Sequence, residues 1–153
     1  MTLLDAKEFD AEKESRKRKR FVIVIAVIAI VVFLGWWFWY WPEEHIVKNF
    51  FEALQKQDFK TAYAIWQHDP EWQQHPGQYP LYPFSEFYRD WGPGGQWGVI
   101  KSAKVNGASP CPPPPSSGIL IDVIVNDRVE HAQVWVEKSR HTLGYPPCEL
   151  IFH

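Results

Sequence analysis

The chain contains a block of five consecutive basic residues, followed by a long uncharged apolar run that ends in six consecutive aromatic residues. The basic block is 16–20, and the 21 residues of 21–41 include no charged, Asn, Gln, Ser or Thr side chain. At about 1.5 Å per residue, a helix of this length measures roughly 31 Å, close to the hydrocarbon thickness of a bilayer. The run therefore predicts a single transmembrane helix over 21–41.

A buried core helix and a cleaved signal peptide fit the apolar run less well than a membrane anchor does. A helix buried in a soluble core would need cover on every side, and only about 110 residues follow it. A cleaved signal peptide has a shorter apolar region that ends at small residues. A retained membrane anchor is therefore favoured.

The position of the basic block predicts the orientation of the anchor. Basic residues that flank a span stay on the cytoplasmic side, whereas the acidic Glu43 and Glu44 follow the run. We therefore expect a cytoplasmic tail over 1–20 and an extracytoplasmic domain over 42–153, located in the periplasm if the membrane is a bacterial inner membrane. The residues that determine this topology are Arg16, Lys17, Arg18, Lys19 and Arg20.

The six aromatic residues allow two interpretations, which the sequence leaves open. Trp and Tyr are enriched where a span meets the headgroups, so the cluster could be an interfacial belt. Six in succession, however, surround more than one and a half helical turns, so some rings could pack against helices or a flat cofactor of a neighbouring subunit. The residues of this cluster are Trp36, Trp37, Phe38, Trp39, Tyr40 and Trp41.

The pattern after the aromatic cluster predicts an α+β domain. Helical spacing of apolar residues indicates one helix from Pro42 and a second capped by Asp58, and Ser85 is a candidate cap for a short third helix. Segments rich in Val and Ile then predict antiparallel strands, with a hairpin turn at 126–128 and a last strand near 149–152. Helices followed by strands are typical of α+β folds.

Two sequence stretches carry a resemblance to a known family. The stretch "HIVKNFFEALQKQDFKTAYAIW", followed by strands that end in "HAQVWVEK", resembles the nuclear-transport-factor-two-like superfamily. The resemblance covers about 44–152. It implies three helices packed on a curved antiparallel sheet, which together form a cone with a pocket. Members serve as binding or oligomerisation modules on membrane anchors, and some are isomerases or dehydratases, so the resemblance leaves the function open.

The two cysteines predict a disulfide. Cys111 lies in "SPCPPPPSS" and Cys148 in "YPPCEL", and both fall in the domain expected in an oxidising compartment. The bond would close a loop of about 38 residues, which is worth about 4 kcal/mol in the chain-entropy model. The alternative is a pair of buried thiols.

One strand carries polar residues that could line the cone. His131 and Gln133 alternate with Val129 and Trp135, so these residues share one face of the strand. Together with one acidic residue of the preceding strand they form a candidate pocket for a small ligand: Asp122, His131, Gln133 and Trp135. The alternative is a half-exposed face whose polar groups bond one another.

Motifs for catalysis, cofactors and nucleic acid are missing from the sequence. It contains no nucleophile elbow, phosphate loop, dinucleotide fingerprint or zinc-ligand spacing. We therefore predict no catalytic residue, cofactor or metal. From Glu43 onward the chain has nine basic and 13 acidic residues, which argues against a nucleic-acid surface.

Large aromatic residues are unusually dense between positions 72 and 97. Trp and Tyr dominate interaction hot spots, so these rings either fill the domain core or form a partner surface. The candidate partner surface consists of Trp72, Tyr79, Tyr82, Trp91 and Trp97.

These features lead to a functional expectation with two rivals. We expect a non-catalytic accessory subunit that contacts the lipid bilayer and the integral membrane subunits of a larger complex, such as a bacterial respiratory or photosynthetic assembly. One rival is a membrane-tethered domain that binds a small ligand or acts as an isomerase. The other is a free-standing membrane sensor.

Overall fold

The structure is a computed structural model that describes residues 11–37 and 41–148, with the backbone alone at 11–15 and 36–37. The chain divides into two compact units, 1–39 and 40–153. The first unit contains helix α1, Ala11–Trp37. The second is an α+β domain with three further α-helices and a four-stranded antiparallel sheet.

Helix α1 corrects the prediction of a membrane span. In the described part of the chain, no helix combines the length and the apolar character needed to cross a bilayer. The basic residues 16–20 lie inside α1, and the uncharged part with described side chains is 21–35. The predicted transmembrane helix over 21–41 is therefore wrong.

The same finding overturns the predictions that rested on the span. A single-pass inner-membrane protein with a cytoplasmic N-terminus and a periplasmic domain is not supported, because those assignments required a membrane-crossing helix. The basic residues 16–20 accordingly lose their predicted role of setting topology. They lie within α1, and all five are exposed.

Two amphipathic helices begin the domain. Helix α2, Trp41–Gln55, has Glu43 and Glu44 in its first turn, where acidic groups complement the positive helix end. Its buried side includes Val47, Phe50 and Leu54. Helix α3, Phe59–Gln67, buries Ala62, Tyr63 and Trp66. Both helices thus present an apolar stripe to one core.

Helix α3 begins at Asp58, which is the predicted cap. The Thr61 N–H donates to Asp58 Oδ1 over 3.1 Å, and the Thr61 hydroxyl donates to Oδ2 over 2.7 Å. These hydrogen bonds, the side-chain bond foremost, hold the pKa of Asp58 below its ordinary value. We expect Asp58→Ala to lower the free energy of unfolding by about 1 kcal/mol at neutral pH, measured by urea unfolding.

The pH dependence of this effect follows from the lowered pKa. The stabilisation by Asp58 is present above the pKa of the unfolded chain and is lost as pH falls through the lower pKa of the folded state. The wild type and Asp58→Ala should therefore converge in stability at strongly acid pH. Asp58→Asn is the control, since it keeps a capping oxygen that does not titrate. A difference between wild type and Asp58→Ala that persists unchanged into acid would contradict the assignment.

Helix α4 and the loop before it close the helical layer. Two short 3-10 turns, Trp72–Gln74 and Pro76–Gln78, precede α4, which spans Phe84–Trp91. Ser85 lies inside the first turn, and the cap position is Pro83, which makes no side-chain cap bond. The predicted Ser85 cap is therefore wrong, because the helix begins one residue earlier.

The sheet is a simple antiparallel meander. Its strands are β1 Ala103–Ser109, β2 Gly118–Val125, β3 His131–Glu137 and β4 Leu143–Gly144, and they lie in the order β1-β2-β3-β4. The ladder between β1 and β2 shifts register between Val105 and Gly107, as in a β-bulge. The predicted last strand at 149–152 lies outside the described residues.

The turn between β2 and β3 lies at the predicted position. Asn126 and Asp127 both have positive φ, 52° and 54°, as a type I′ turn requires. The Asn126 side chain also fixes the segment before β1, because its Oδ1 accepts from the N–H groups of Lys101 and Ser102. Its Nδ2 donates to the carbonyl of Val99. The turn therefore anchors the start of β1.

The main core lies between the three helices and one face of the sheet. Phe50, Tyr63 and Phe87 are almost fully buried on the helix side. From the sheet, alternate residues of β2 and β3 point into the same cluster, which contains Ile119, Ile121, Val123, Val125, Ala132, Val134 and Val136. The helix-facing side of the sheet is thus filled by the domain's own side chains.

Candidate functional site

The predicted pocket residues lie on the face of the sheet that points away from the helices. Ala132, Val134 and Val136 of β3 join the main core, so the alternating His131, Gln133 and Trp135 take the opposite face. Asp122 of β2 pairs with Gln133 across the ladder. The structure thus brings the four residues to one face, and that face does not line the interior between helices and sheet.

Asp122 is the buried centre of this group. It is 1% exposed. Its Oδ2 lies 2.7 Å from His131 Nδ1 and accepts from Asn106 Nδ2 at 2.8 Å. Asn106 lies beside the register shift in β1, so the irregular strand brings a third polar side chain to the carboxylate. Its role was not predicted, since a bulge leaves no clear pattern in the sequence.

This arrangement fixes the orientation of the His131 ring. The 2.7 Å contact between Nδ1 and Asp122 Oδ2 holds one side of the ring against the buried carboxylate. Nε2 then points away from the carboxylate, and none of the described residues bonds it in the structure. An imidazole held in this way can exchange a proton or bind a ligand at Nε2.

Three cavities can be described in the part of the domain that the structure covers. One of about 500 Å³ lies between α2 and α3 and is lined in part by Ile46, Ile65 and His68. A second of about 350 Å³ lies between α2 and β1. A third of about 440 Å³ includes Trp135 and Arg140. Asp122, His131 and Gln133 line none of these three cavities, whereas Trp135 lines the third.

The predicted disulfide is present. Cys111 and Cys148 are bonded, with their Cα atoms 5.9 Å apart. Cys111 packs with Leu120 and Trp135 on the sheet face opposite the helices, and Cys148 lies against the same cluster. The cross-link therefore covers the end of this face next to the Asp122 group, and Trp135 belongs to its packing.

The aromatic residues of the candidate partner surface pack within the domain. Trp72, Trp91 and Trp97 are 8%, 4% and 7% exposed. Tyr79 and Tyr82 are half-buried against the same core. A partner could contact these rings only if the core of the domain opened.

A second polar cluster, which the sequence did not reveal, joins α4 to the segment after β4. The hydroxyl groups of Tyr82 and Tyr145 lie 2.9 Å apart, and both donate to Asp90 Oδ2 at 3.1 and 3.0 Å. Burial raises the pKa of both phenols above the ordinary value, so they stay neutral donors. The cluster links α4 to the segment after β4. Asp90 and Tyr145 are 55 positions apart, so sequence spacing did not indicate the contact.

The loop after α3 contains another polar contact, centred on Asp69. Asp69 accepts from the Tyr79 hydroxyl at 2.8 Å and lies 2.6 Å from His75 Nε2. Burial, together with Asp69, raises the pKa of Tyr79 to about 12. His68 instead packs against His141. In the part of the chain that the structure describes, no three His, Cys, Asp or Glu side chains are arranged around a metal site.

The aromatic cluster at 36–41 is described only in part. Trp36 and Trp37 end α1, and their side chains are not described. Phe38, Trp39 and Tyr40 lie outside the described residues. Trp41 begins α2, is 55% exposed and stacks on His45. The role predicted for these rings therefore stays a prediction.

Most of the exposed large hydrophobic residues in the described part of the chain lie on α1. Twelve large hydrophobic residues between Phe21 and Leu34 are each 46% to 65% exposed. At 100° per residue, consecutive positions point in all directions around the helix. Lys17, Arg18, Lys19 and Arg20 precede this surface and are exposed as well. We call the side chains of 21–35 the apolar sleeve of α1.

No protein-family model, curated protein or solved structure matches this chain. The resemblance to the nuclear-transport-factor-two-like superfamily therefore stays a prediction from the sequence.

Proposed function

We propose that this protein is a non-catalytic accessory subunit that docks on other proteins of a larger assembly through α1. The observation that carries the proposal is the apolar sleeve, which is exposed along its whole length. Soluble proteins rarely leave apolar patches of more than a few hundred Å² in water. The sleeve is therefore a surface that requires cover.

The shape of the sleeve indicates several neighbours. A helix that packs against one other helix has an apolar stripe on one side and polar residues on the other. The sleeve has apolar residues on every side, for example at Ile23 and Ile25, which point about 200° apart. One neighbouring helix cannot cover both directions. Several neighbouring helices or strands are needed to cover all sides of α1. A subunit within a larger complex is surrounded in this way.

The basic end of α1 indicates the charge of the partner. Lys17, Arg18, Lys19 and Arg20 are exposed directly before the sleeve. A second copy of the chain packed in the same direction would bring two such blocks together, which is unfavourable. A different protein that carries carboxylates beside an apolar groove would fit α1 better. Its carboxylates would pair with the basic residues, and its groove would cover the apolar sleeve.

The packing of the domain favours docking over the rival ligand-binding or isomerase function. The sheet face that would line a cone is occupied by side chains such as Ile121 and Val134, which are fully buried in the main core. The oriented His131 lies on the other face and lines none of the three cavities described above.

Photo-crosslinking in living cells tests this proposal. A photoreactive amino acid is placed in turn at Ile23 and at Ile25, which point in opposite directions. We expect both positions to form adducts with polypeptides of the same native complex. Lys17→Glu combined with Lys19→Glu should reduce both adducts at least about tenfold, since reversal of two charges removes the electrostatic contribution.

Matched controls separate docking from other causes. The same charge reversal at Lys56 and Lys60, which are exposed on the domain, should leave the adducts unchanged. Val129, which is fully exposed in the turn before β3, is the control position for the photoreactive group. Adducts with lipid alone, adducts with a second copy alone, or no adduct at either position would overturn the proposal.

A further inference from the structure

We propose that the open edge of β1 binds an extended acidic segment of a partner protein by strand addition. Among the strands of residues 41–148, β1 is an outer strand and is seven residues long, whereas β4 at the other edge has two residues. An open edge presents unpaired backbone N–H and C=O groups, which an added strand can bond. This contact is independent of α1.

The ladder shows which backbone groups face outward. The Asn126 N–H donates to the carbonyl of Ser102, directly before β1. Hydrogen-bonded and non-bonded residue pairs alternate along an antiparallel ladder. Since Ser102 is bonded to Asn126, the backbone N–H and C=O groups of Ser102 and Lys104 point towards β2. Ala103 and Val105 consequently turn theirs to the open edge. The register shift after Val105 ends this regular segment.

A groove lies beside the same segment. The cavity of about 350 Å³ between α2 and β1 is lined by residues of both elements and of β2: Lys48, Phe51, Glu52, Gln55, Ala103, Lys104, Val105 and Val123. Lys48 and Glu52 pair with each other at 4.0 Å. A strand added at this edge would direct every second side chain into the groove, where apolar residues fit.

The other face of the added strand would meet Lys104. Ala103 and Val105 pack against the helix-side core, so the alternating Lys104 side chain takes the opposite face, where it is exposed. A carboxylate opposite Lys104 is favoured, and a cation is disfavoured. The expected ligand is therefore a segment that alternates apolar and acidic residues.

The same lysine argues against a second copy as the occupant. In the antiparallel register that bonds Ala103 of one copy to Val105 of the other, the two Lys104 side chains lie directly opposite each other. Like charges in that position destabilise the pairing. Lys104 and the bulge thus act against self-association while leaving the edge open to an acidic strand.

The inference is tested by measuring how a peptide binds to the full chain. Mild detergent is added to cover the apolar sleeve of α1. The probe is a short fluorescent peptide of alternating Glu and Val, and its binding is measured by fluorescence anisotropy. We expect saturable binding that slows amide hydrogen exchange at Ala103 and Val105. Ala103→Pro should weaken binding at least about tenfold because it removes an outward N–H, whereas Ala103→Val, which keeps the N–H, should bind.

The second measurement reverses the charge at position 104 and compares the binding of acidic and basic peptides. Lys104→Glu should weaken binding of the Glu-Val peptide about fivefold or more and should favour a Lys-Val peptide instead. Lys60→Glu on α3 is the control for net charge and should change neither. Failure of the wild type to bind the Glu-Val peptide, binding without slowed exchange at β1, or equal binding by all variants would overturn the inference.

Discussion

Replacement of both Cys111 and Cys148 by serine is expected to lower the free energy of unfolding of the domain by about 4 kcal/mol. The disulfide joins residues 37 positions apart, and without it the unfolded chain regains the conformational freedom of that whole loop. For a domain of about 100 residues, the loss corresponds to a fall in Tm of roughly 20 °C. Thermal unfolding followed by circular dichroism measures it.

Two comparisons make the disulfide prediction specific. Reductant should lower the Tm of the wild type to that of the double variant and should leave the double variant unchanged. The single substitution Cys111→Ser removes the same cross-link, so it should lose about as much stability as the double variant. A wild type that unfolds at the same temperature with and without reductant would contradict the prediction.

The elements of the domain were predictable where one periodic pattern covered a whole segment. The apolar residues of α2 and α3 recur at helical spacing, and both helices lie close to their expected positions. The turn at Asn126 and Asp127 combines residue types that tolerate positive φ with flanking strands of alternating pattern. Strand β1 begins at Ala103, directly after the segment that the Asn126 side chain holds by hydrogen bonds to Val99, Lys101 and Ser102.

The candidate site was predictable only in part. Alternation along β3 correctly placed His131, Gln133 and Trp135 on one face, but it could not show which face the helices cover. The helices bury the smaller Ala132, Val134 and Val136, and the face with the larger and polar side chains is turned away. The Asp122 contact with Asn106 depends on a bulge, and the Tyr82 contact with Tyr145 depends on tertiary packing, so neither has a local signature.

The prediction of a membrane span failed at the boundaries of a helix. The count of uncharged residues began after Arg20 and extended through the aromatic cluster to Trp41. In the structure α1 begins before the basic block and ends at Trp37, and Trp41 belongs to α2. A hydropathy pattern gives the composition of a segment, but helix boundaries are among its least certain consequences.

Phe50→Ala is expected to lower the free energy of unfolding by about 4 kcal/mol, because it removes the centre of the aromatic core. Phe50 is 0% exposed. Its ring lies 5.4 Å from Trp66, 6.1 Å from Phe87 and 5.1 Å from Trp91, centroid to centroid. Truncation leaves a cavity among rings from two other helices, α3 and α4, and none of these rings can fill it without losing its own contacts. Urea unfolding measures the loss.

Phe59→Ala is the matched control for the Phe50 substitution. Phe59 is half-buried at the start of α3, and its ring packs edge-on against Tyr88, which is itself 47% exposed. The same truncation should cost about 1 kcal/mol there, since water can occupy the vacated space. Equal losses at the two positions would contradict a core centred on Phe50. A large difference would show that Phe50 and the rings packed around it serve the interior of the domain, so that exposing them to a partner would destabilise the fold.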